Sequence, residues 1–449
     1  MERFEDVVAG VREQVEPDSD ERERLQKVVR ALASRTEKAV ADLPVEADVI
    51  QVGSTARRTW TSGDRDIDLF VRFPPDFDRE TLESYGLKVG HTVLPDGHEE
   101  FAEHPYVKGE FEGFDVDLVP CYHVESATKI QSAVDRTPFH TQYLEARLDD
   151  DLATEVLLFK QFLKGIGAYG SDLRTEGFSG YLAELLVLEY GGFRDLLEAV
   201  SEWSPPVRFD PEDHGTETFH DLLVVIDPTD PERNVAAVLS PENFARLQHY
   251  ARDLLANPRE SLFFPASPDP LSSGEIREFV ADRGTTPVAI RFDAPDVVED
   301  QLYPQLQKSL SGVADALSRR GFEVLRAELF ADDSAVLFFE LAVAERPAIE
   351  RHDGPPVHVR EHATGFYEKY EEDDSYGPFI DGDRYVVERQ REFTSAIAFL
   401  RSDSVFDAAL GVHVEKTMRA GYEVLSGTQI DGLAEEFGSE LAHYFDPKP

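Results

Sequence analysis

The chain has 449 residues, room for about three domains. With 41% hydrophobic residues, 30 Phe and 15 Tyr it reads as packed and globular; no run of about 18 apolar residues and no leader-like start occur, so neither a helical membrane span nor a signal peptide is expected and the cytoplasm is. The 89 Asp and Glu against 45 Lys and Arg give a formal charge of -44, spread along the whole chain, which points to a salt-loving source because at molar salt the Debye length falls to about 3 Å and self-repulsion is screened.

Helical spacing opens the chain, with Phe4, Val7, Val8 and Val11 in one segment and Leu25, Val28, Val29, Leu32 and Ala33 in the next. "ADVIQV" then reads as a strand, "GSTARRTW" as a turn into a short helix, "DIDLFVRF" as a second strand and "EGFDVDLVPCYHV" as a third, giving a strand-rich unit over 1–145. From "DDDLATEVLLFKQFLKGIGAYG" the period is helical: Leu152, Val156, Phe159 and Leu163 share a face, and "SGYLAELLVLEYGGFRDLLEAV" reads as one further helix. This helical segment runs to about residue 265 and ends in the linker "SLFFPASPDPLSS". Beyond it, "TPVAIRFDAP", "DQLYPQLQKSLSGVADALSRRG" and "FEVLRAELFADDSAVLFFELAV" give a β-α-β-β order of the ferredoxin-like kind. Residues 350–400 read as polar, aromatic and irregular, with helices after them. The lone cysteine, Cys121, excludes an intrachain disulfide and a cysteine-based zinc site and reads as a packed thiol.

The chemistry centres on "GSTARRTWTSGDRDIDLF". On a strand Asp66 and Asp68 emerge on one face about 6.6 Å apart along the chain. Like charges so placed repel unless a cation lies between them, and Mg²⁺, a hard ion that takes one or two carboxylates plus phosphates, suits them. A second ion needs a third carboxylate, and "FDVDLVP" offers Asp115 and Asp117, again at i and i+2. Upstream, Gly53 and Ser54 stand where a strand turns into a helix, so backbone N–H groups, the Ser54 hydroxyl and Arg57 can grip a triphosphate. An Asp-x-Asp or a Gly-Ser alone is commonly a solvated strand end or a helix start; it is the joint order and spacing that point to phosphoryl transfer. Asp64 is assigned to the turn.

This stretch resembles the signature of the DNA polymerase β-type nucleotidyltransferases. "FAEHPYVKGEFEGFDVDLVPCYHV", "SAVDRTPFHTQYL", "LLFKQFLKGIGAYGSDLRTEGFSGYLAELLV" and "DPTDPERNVAAVLS" narrow it to the archaeal, class I CCA-adding enzymes, strongly over about residues 45–245 and weakly, though collinearly, to the end. The resemblance implies an α+β, multidomain chain: a polymerase β-like nucleotidyltransferase head of mixed sheet and helices (1–145), a helical nucleotide-recognition neck (146–265), a ferredoxin-like or RRM-like body (266–349 and 400–449) and an α/β tail contacting tRNA (350–399). It implies template-independent addition and repair of the tRNA 3′-terminal CCA from CTP and ATP with pyrophosphate release, two Mg²⁺ per active site on Asp66, Asp68 and Asp117, tRNA bound through its acceptor stem and 3′ end, and a homodimer. Gly53, Ser54, Arg57, His140, Lys160 and Tyr169 match nucleotide ligands, and Arg233 the position that reads the incoming base. The segment departs from the family in carrying Arg58 where glycine is common.

Each of these has a plainer counterpart. Lys160 and Lys164 lie one turn apart on an otherwise apolar helix and could be snorkelling or solvated lysines; His140 could be structural, Tyr169 a core tyrosine, and Arg233 a helix-start ion pair. Asp115 shares a face with Asp117, and the family pattern selects Asp117. In the tail Arg351, His352, His358, Arg360, His362, Phe366, Tyr367 and Arg384 interleave aromatics with base, as tRNA recognition by shape, 2′-hydroxyl contacts and stacking would need at high salt, or form a merely irregular surface. The competing readings are a poly(A) polymerase or oligoadenylate synthetase type enzyme with the same triad, and a non-catalytic RNA-binding protein with a relic nucleotidyltransferase domain.

Overall fold

The computed structural model describes residues 3–101 and 103–449 as two compact units, one running to Ala266 and the other from Ser267 to Lys448. The first unit opens with α1 (Phe4–Val15) and α2 (Ser19–Ala41). Asp18 sets the start of α2: its carboxylate accepts from the N–H groups of Asp20 and Glu21, both at 2.8 Å, and Glu21 accepts from the Asp18 N–H at 3.0 Å, closing a capping box. Then follow β1 (Asp48–Val52), the one-turn helix α3 (Gly53–Arg57), β2 (Asp66–Phe73), α4 (Arg79–Val93), β3 (His98–Phe101), β4 (Pro105–Phe111) and β5 (Phe114–Tyr122). The strands form one mixed sheet in the order β1-β2-β5-β4-β3, in which β2 and β5 run parallel and the other neighbours antiparallel. Alternation along β2 sends Ile67, Leu69, Val71 and Phe73 into a core with Leu25 and Leu32 of α2 and Leu82 and Val89 of α4; Asp66 and Asp68 are left on the opposite face, with Phe70.

The chain continues through α5 (Thr137–Glu145), α6 (Asp150–Gly165), α7 (Gly180–Tyr190), α8 (Phe193–Ser201), the strands β6 (Val207–Phe209), β7 (Leu223–Asp227) and β8 (Asp230–Asn234), and α9 (Pro241–Ala256). Val156, Phe159, Phe162 and Leu163 of α6 pack with Leu182 and Leu186 of α7 and Phe193 of α8. Val7, Val11 and Val15 of α1 join this core, so the first helix packs with the helical segment although it precedes the sheet in sequence. Two expectations are corrected. The helix read over "SGYLAELLVLEYGGFRDLLEAV" is two, because Gly191 at φ 79° takes the left-handed C-cap conformation and ends α7. The helical segment also holds a three-stranded sheet, β6-β7-β8, whose central strand is wholly buried and therefore shows no alternation.

The second unit comprises α10 (Ser273–Arg283), β9 (Thr286–Asp293), α11 (Glu299–Arg319), β10 (Glu323–Ala331), β11 (Ser334–Val343), β12 (Ile349–Pro356), α12 (Arg360–Tyr370), β13 (Tyr376–Asp381), β14 (Arg384–Gln390), α13 (Ala396–Leu400), α14 (Val412–Ala420), β15 (Glu423–Ser426) and α15 (Ala434–Phe445). An antiparallel sheet in the order β10-β11-β9-β15, with α11 after its first strand and α14 before its last, has the β-α-β-β-α-β course of a ferredoxin-like layer. Residues 350–400, irregular by residue pattern but an α/β tail by resemblance, are ordered: β12, β14 and β13 form a separate sheet against which α12 packs through Phe366 and Tyr370, beside His352. Among the residues of those strands only Gly354, Val386 and Val387 are buried, which leaves little hydrophobic period to read.

Candidate active site

β2 and β5 run in register with Asp66 opposite Asp115 and Asp68 opposite Asp117, so four carboxylates share the open face of the sheet. Asp68 and Asp117 form the inner, half-buried row, and Asp66 and Asp115 the exposed one. Burial, then the charges of Asp117 and Asp66, push the Asp68 carboxyl up to about 7. Burial, then Asp64 and Asp115, raise Asp66; burial raises Asp117, with Lys108 opposing from 3.7 Å. Asp64 serves its turn, accepting from the N–H and hydroxyl of Thr61 at 3.1 and 2.7 Å. Gly53, at φ 77°, leads α3 out of β1 directly over Asp68. Ser54 follows it, half-buried, its carbonyl accepting from the Thr59 N–H at 3.0 Å. Arg58, in the position where glycine was expected, takes the left-handed conformation at φ 64° and pairs with Asp150.

Among the described residues no three His, Cys, Asp or Glu close on one ion-sized point. An all-oxygen set of carboxylates whose protonation is favoured in the absence of a cation nevertheless fits Mg²⁺, which takes few protein ligands and keeps positions for water and phosphate.

Arg57 and Lys160 are buried and converge on Glu184, a fully buried carboxylate of α7 that sequence reasoning missed. Arg57 Nε and Nη2 donate to Glu184 at 3.0 and 3.2 Å and Nη1 to the Thr141 hydroxyl at 3.2 Å. Lys160 Nζ donates to Glu184 at 2.9 Å and to the carbonyl and hydroxyl of Thr59 at 3.0 and 3.2 Å. Lys164, one turn on, instead reaches the surface near Asp64, at 3.6 Å, and the ring of Tyr169. Burial pushes the Tyr169 hydroxyl up to about 12.

His140 and Arg233 are brought together by a second missed carboxylate, Asp227, at the end of β7. His140 Nε2 and Arg233 Nη1 both lie 2.8 Å from Asp227 Oδ2, while Tyr181 donates to Oδ1 at 3.3 Å and stacks on the His140 ring at 3.9 Å between centroids. Burial holds His140 below its usual range, so the neutral ring donates from Nε2 to the ionised Asp227. The signals were present but faint: Glu184 is an isolated acid in "LAELLV" and Asp227 closes the run "LLVVID".

In the second unit the tail residues are less free than their composition suggested. Arg351 pairs with Asp353 and Asp381, Arg384 lies near Asp383, and Phe366 is packed; His358, Arg360, His362 and Tyr367 are exposed.

Acidic pairs carried by two parallel strands at the mouth of a glycine-led turn are the build of a nucleotidyltransferase, and residues 33–140 match the nucleotidyltransferase domain. Residues 154–264 match the second domain of tRNA nucleotidyltransferase and residues 283–427 the C-terminal domain of the CCA-adding enzyme. The chain belongs to the family of CCA-adding enzymes: it is 64% identical to the CCA-adding enzyme of Haloarcula marismortui over 100% of both chains, 60% identical to that of Halorubrum lacusprofundi over 100% of both, and 58% identical to that of Halobacterium salinarum over 98% of both. No helix among the described residues is long and apolar enough to cross a membrane.

Proposed function

We propose that the protein is a tRNA nucleotidyltransferase that adds C, C and A in turn to the 3′ end of tRNA from CTP and ATP and releases pyrophosphate. The observation that carries this reading is the register of β2 with β5, which sets Asp68 beside Asp117 and under Gly53. Asp66, Asp68 and Asp117 would hold two Mg²⁺, which when bound neutralise the triphosphate and acidify the attacking 3′-hydroxyl. Gly53 and Ser54 offer backbone N–H groups and a hydroxyl to the phosphates, with Arg57, Lys160 and Tyr169 flanking them. His140 and Arg233 present donors to the sugar and base; the Arg233 fork, held at one end by Asp227, suits the edge of cytosine or adenine.

In this reading the sheet is the catalytic head, the helical segment with β6 to β8 the nucleotide-recognition neck, and the second unit a body and tail that take the tRNA. A halophilic source accords with the charge of -44, and a homodimer in the cytoplasm with the family resemblance. Incubating tRNA that lacks CCA with CTP and ATP, and sequencing the product, tests it: addition is expected to stop after three nucleotides, and a homopolymer tail would overturn the reading in favour of a poly(A) polymerase type enzyme.

A further inference from the structure

Two buried cations share one buried anion. Arg57 of α3 and Lys160 of α6 come from parts of the chain 103 residues apart by number, 160 less 57, and Glu184 of α7 touches both. The cluster therefore sets two cationic side chains against one carboxylate where water is largely excluded, an arrangement that costs stability unless their geometry is closely satisfied. Glu184 is also costly by itself, since its helix neighbours Leu182, Ala183, Leu185 and Leu186 are all buried and apolar. Thr59 donates to Glu184 as well, so the carboxylate is saturated by groups that border the catalytic turn.

We propose that Glu184 is a positioning residue for nucleotide binding: by bonding both, it sets the Lys160 ammonium and the Arg57 guanidinium at one fixed separation to receive the phosphates of the incoming nucleotide. The inference rests on the nucleotide site proposed above. The titratable groups around Lys160 are Glu184 of α7, Arg57 of α3, Lys164 on its own helix and Tyr169 beyond it. Burial drives Lys160 towards its neutral form, with the positive charges of Arg57 and Lys164 acting the same way; Glu184 alone among these opposes it. Taking that carboxylate away removes the opposing charge and moves Lys160 further towards its neutral form.

The test uses the full-length enzyme, steady-state addition of the first C to tRNA lacking CCA, and a thermal melt to confirm folding. For Glu184→Gln the KM for CTP should rise about tenfold or more at about pH 8.5 and recover partly at about pH 6.5, with kcat changed little, as for the loss of a charge-assisted contact made in ground and transition states alike. An unchanged KM, or a loss of kcat independent of pH, overturns the proposal. Should E184Q not fold, Glu184→Asp carries the test: it keeps the charge but shortens the reach, so KM should rise without the pH dependence, and a wild-type KM overturns the proposal. Lys160→Ala separates the two levels. If it leaves the KM for CTP unchanged, the nucleotide site itself is misassigned; if it raises KM while folded E184Q does not, only the role of Glu184 falls.

Discussion

Gly53 and Asp68 are fitted to each other so closely that a Cβ at position 53 would lie 1.9 Å from Asp68 Oδ2 and 2.9 Å from its Cγ. The carboxylate is held against the turn, and the turn adopts a backbone conformation that L side chains disfavour.

Gly53→Ala should therefore displace Asp68, not merely strain the turn. Nucleotide addition is expected to fall by about a hundredfold or more, as for a 1 Å misplacement in an active site, while the left-handed backbone alone would cost about 1–2 kcal/mol of stability. Rate assays paired with melting curves check this; an active G53A enzyme would show that Asp68 is not needed where it stands.

Asp68 makes the metal-free protein sensitive to pH in a defined sense. An acid whose pKa in the fold, about 7 here, exceeds its unfolded value stabilises fully below that unfolded value and loses this contribution as pH rises through the folded one. Asp68→Asn removes the charge that burial, Asp117 and Asp66 disfavour. In EDTA the variant should match the wild type near pH 4 and exceed it at pH 8 by up to about 4 kcal/mol, although inactive. Denaturant titrations at the two pH values decide it, and an N variant less stable at pH 8 would contradict the electrostatics.

Asp227 holds His140 and Arg233 by one oxygen, and those partners, with the Thr229 N–H, keep its carboxyl below the usual range against the effect of burial. A depressed acid stabilises above its unfolded pKa and loses that contribution as pH falls towards the folded value. Asp227→Asn should cost about 3 kcal/mol at neutral pH and release the Arg233 fork. Discrimination between CTP and UTP is expected to narrow about tenfold, measured as the ratio of their kcat/KM values; equal discrimination in a folded variant would detach Asp227 from base recognition.

Arg58→Gly relieves a left-handed non-glycine residue whose side chain is exposed and pairs with exposed Asp150. Because an exposed ion pair is worth at most about 1 kcal/mol, the variant should be as stable as the wild type or up to about 1 kcal/mol more so, with addition intact. A marked loss of stability in the melt would mean that the Asp150 pair carries more than an exposed contact can.

Much of the site was legible in the chain because it is built from short-range regularities. Asp66 and Asp68 share a face through the two-residue period of a strand, Asp64 falls in the turn before it, and Gly53 marks a strand-to-helix corner. The β-α-β-β part of the ferredoxin-like course was equally visible, since β9, α11, β10 and β11 are each at least eight residues long; the closing strand β15, of four residues, was not read. The break after α7 was missed because a glycine pair is tolerated within a helix pattern, and the central strand β7 because complete burial erases alternation. The strands of the tail were not read from residue pattern because only Gly354, Val386 and Val387 among them are buried, although the family resemblance implied an α/β tail there.

By itself, then, the sequence nominated the groups of the candidate site: their types and spacings along one strand or helix are properties of local geometry. Only the tertiary structure decided how those groups are held. That Asp117 lies beside Asp68 depends on the pairing of β2 with β5, and that Arg57 answers to Glu184 and Arg233 to Asp227 depends on the packing of helices and strands far apart in the chain. A buried carboxylate looks like any other acid in a sequence, since its value comes from the cations and the absence of water around it, and both are supplied by the fold.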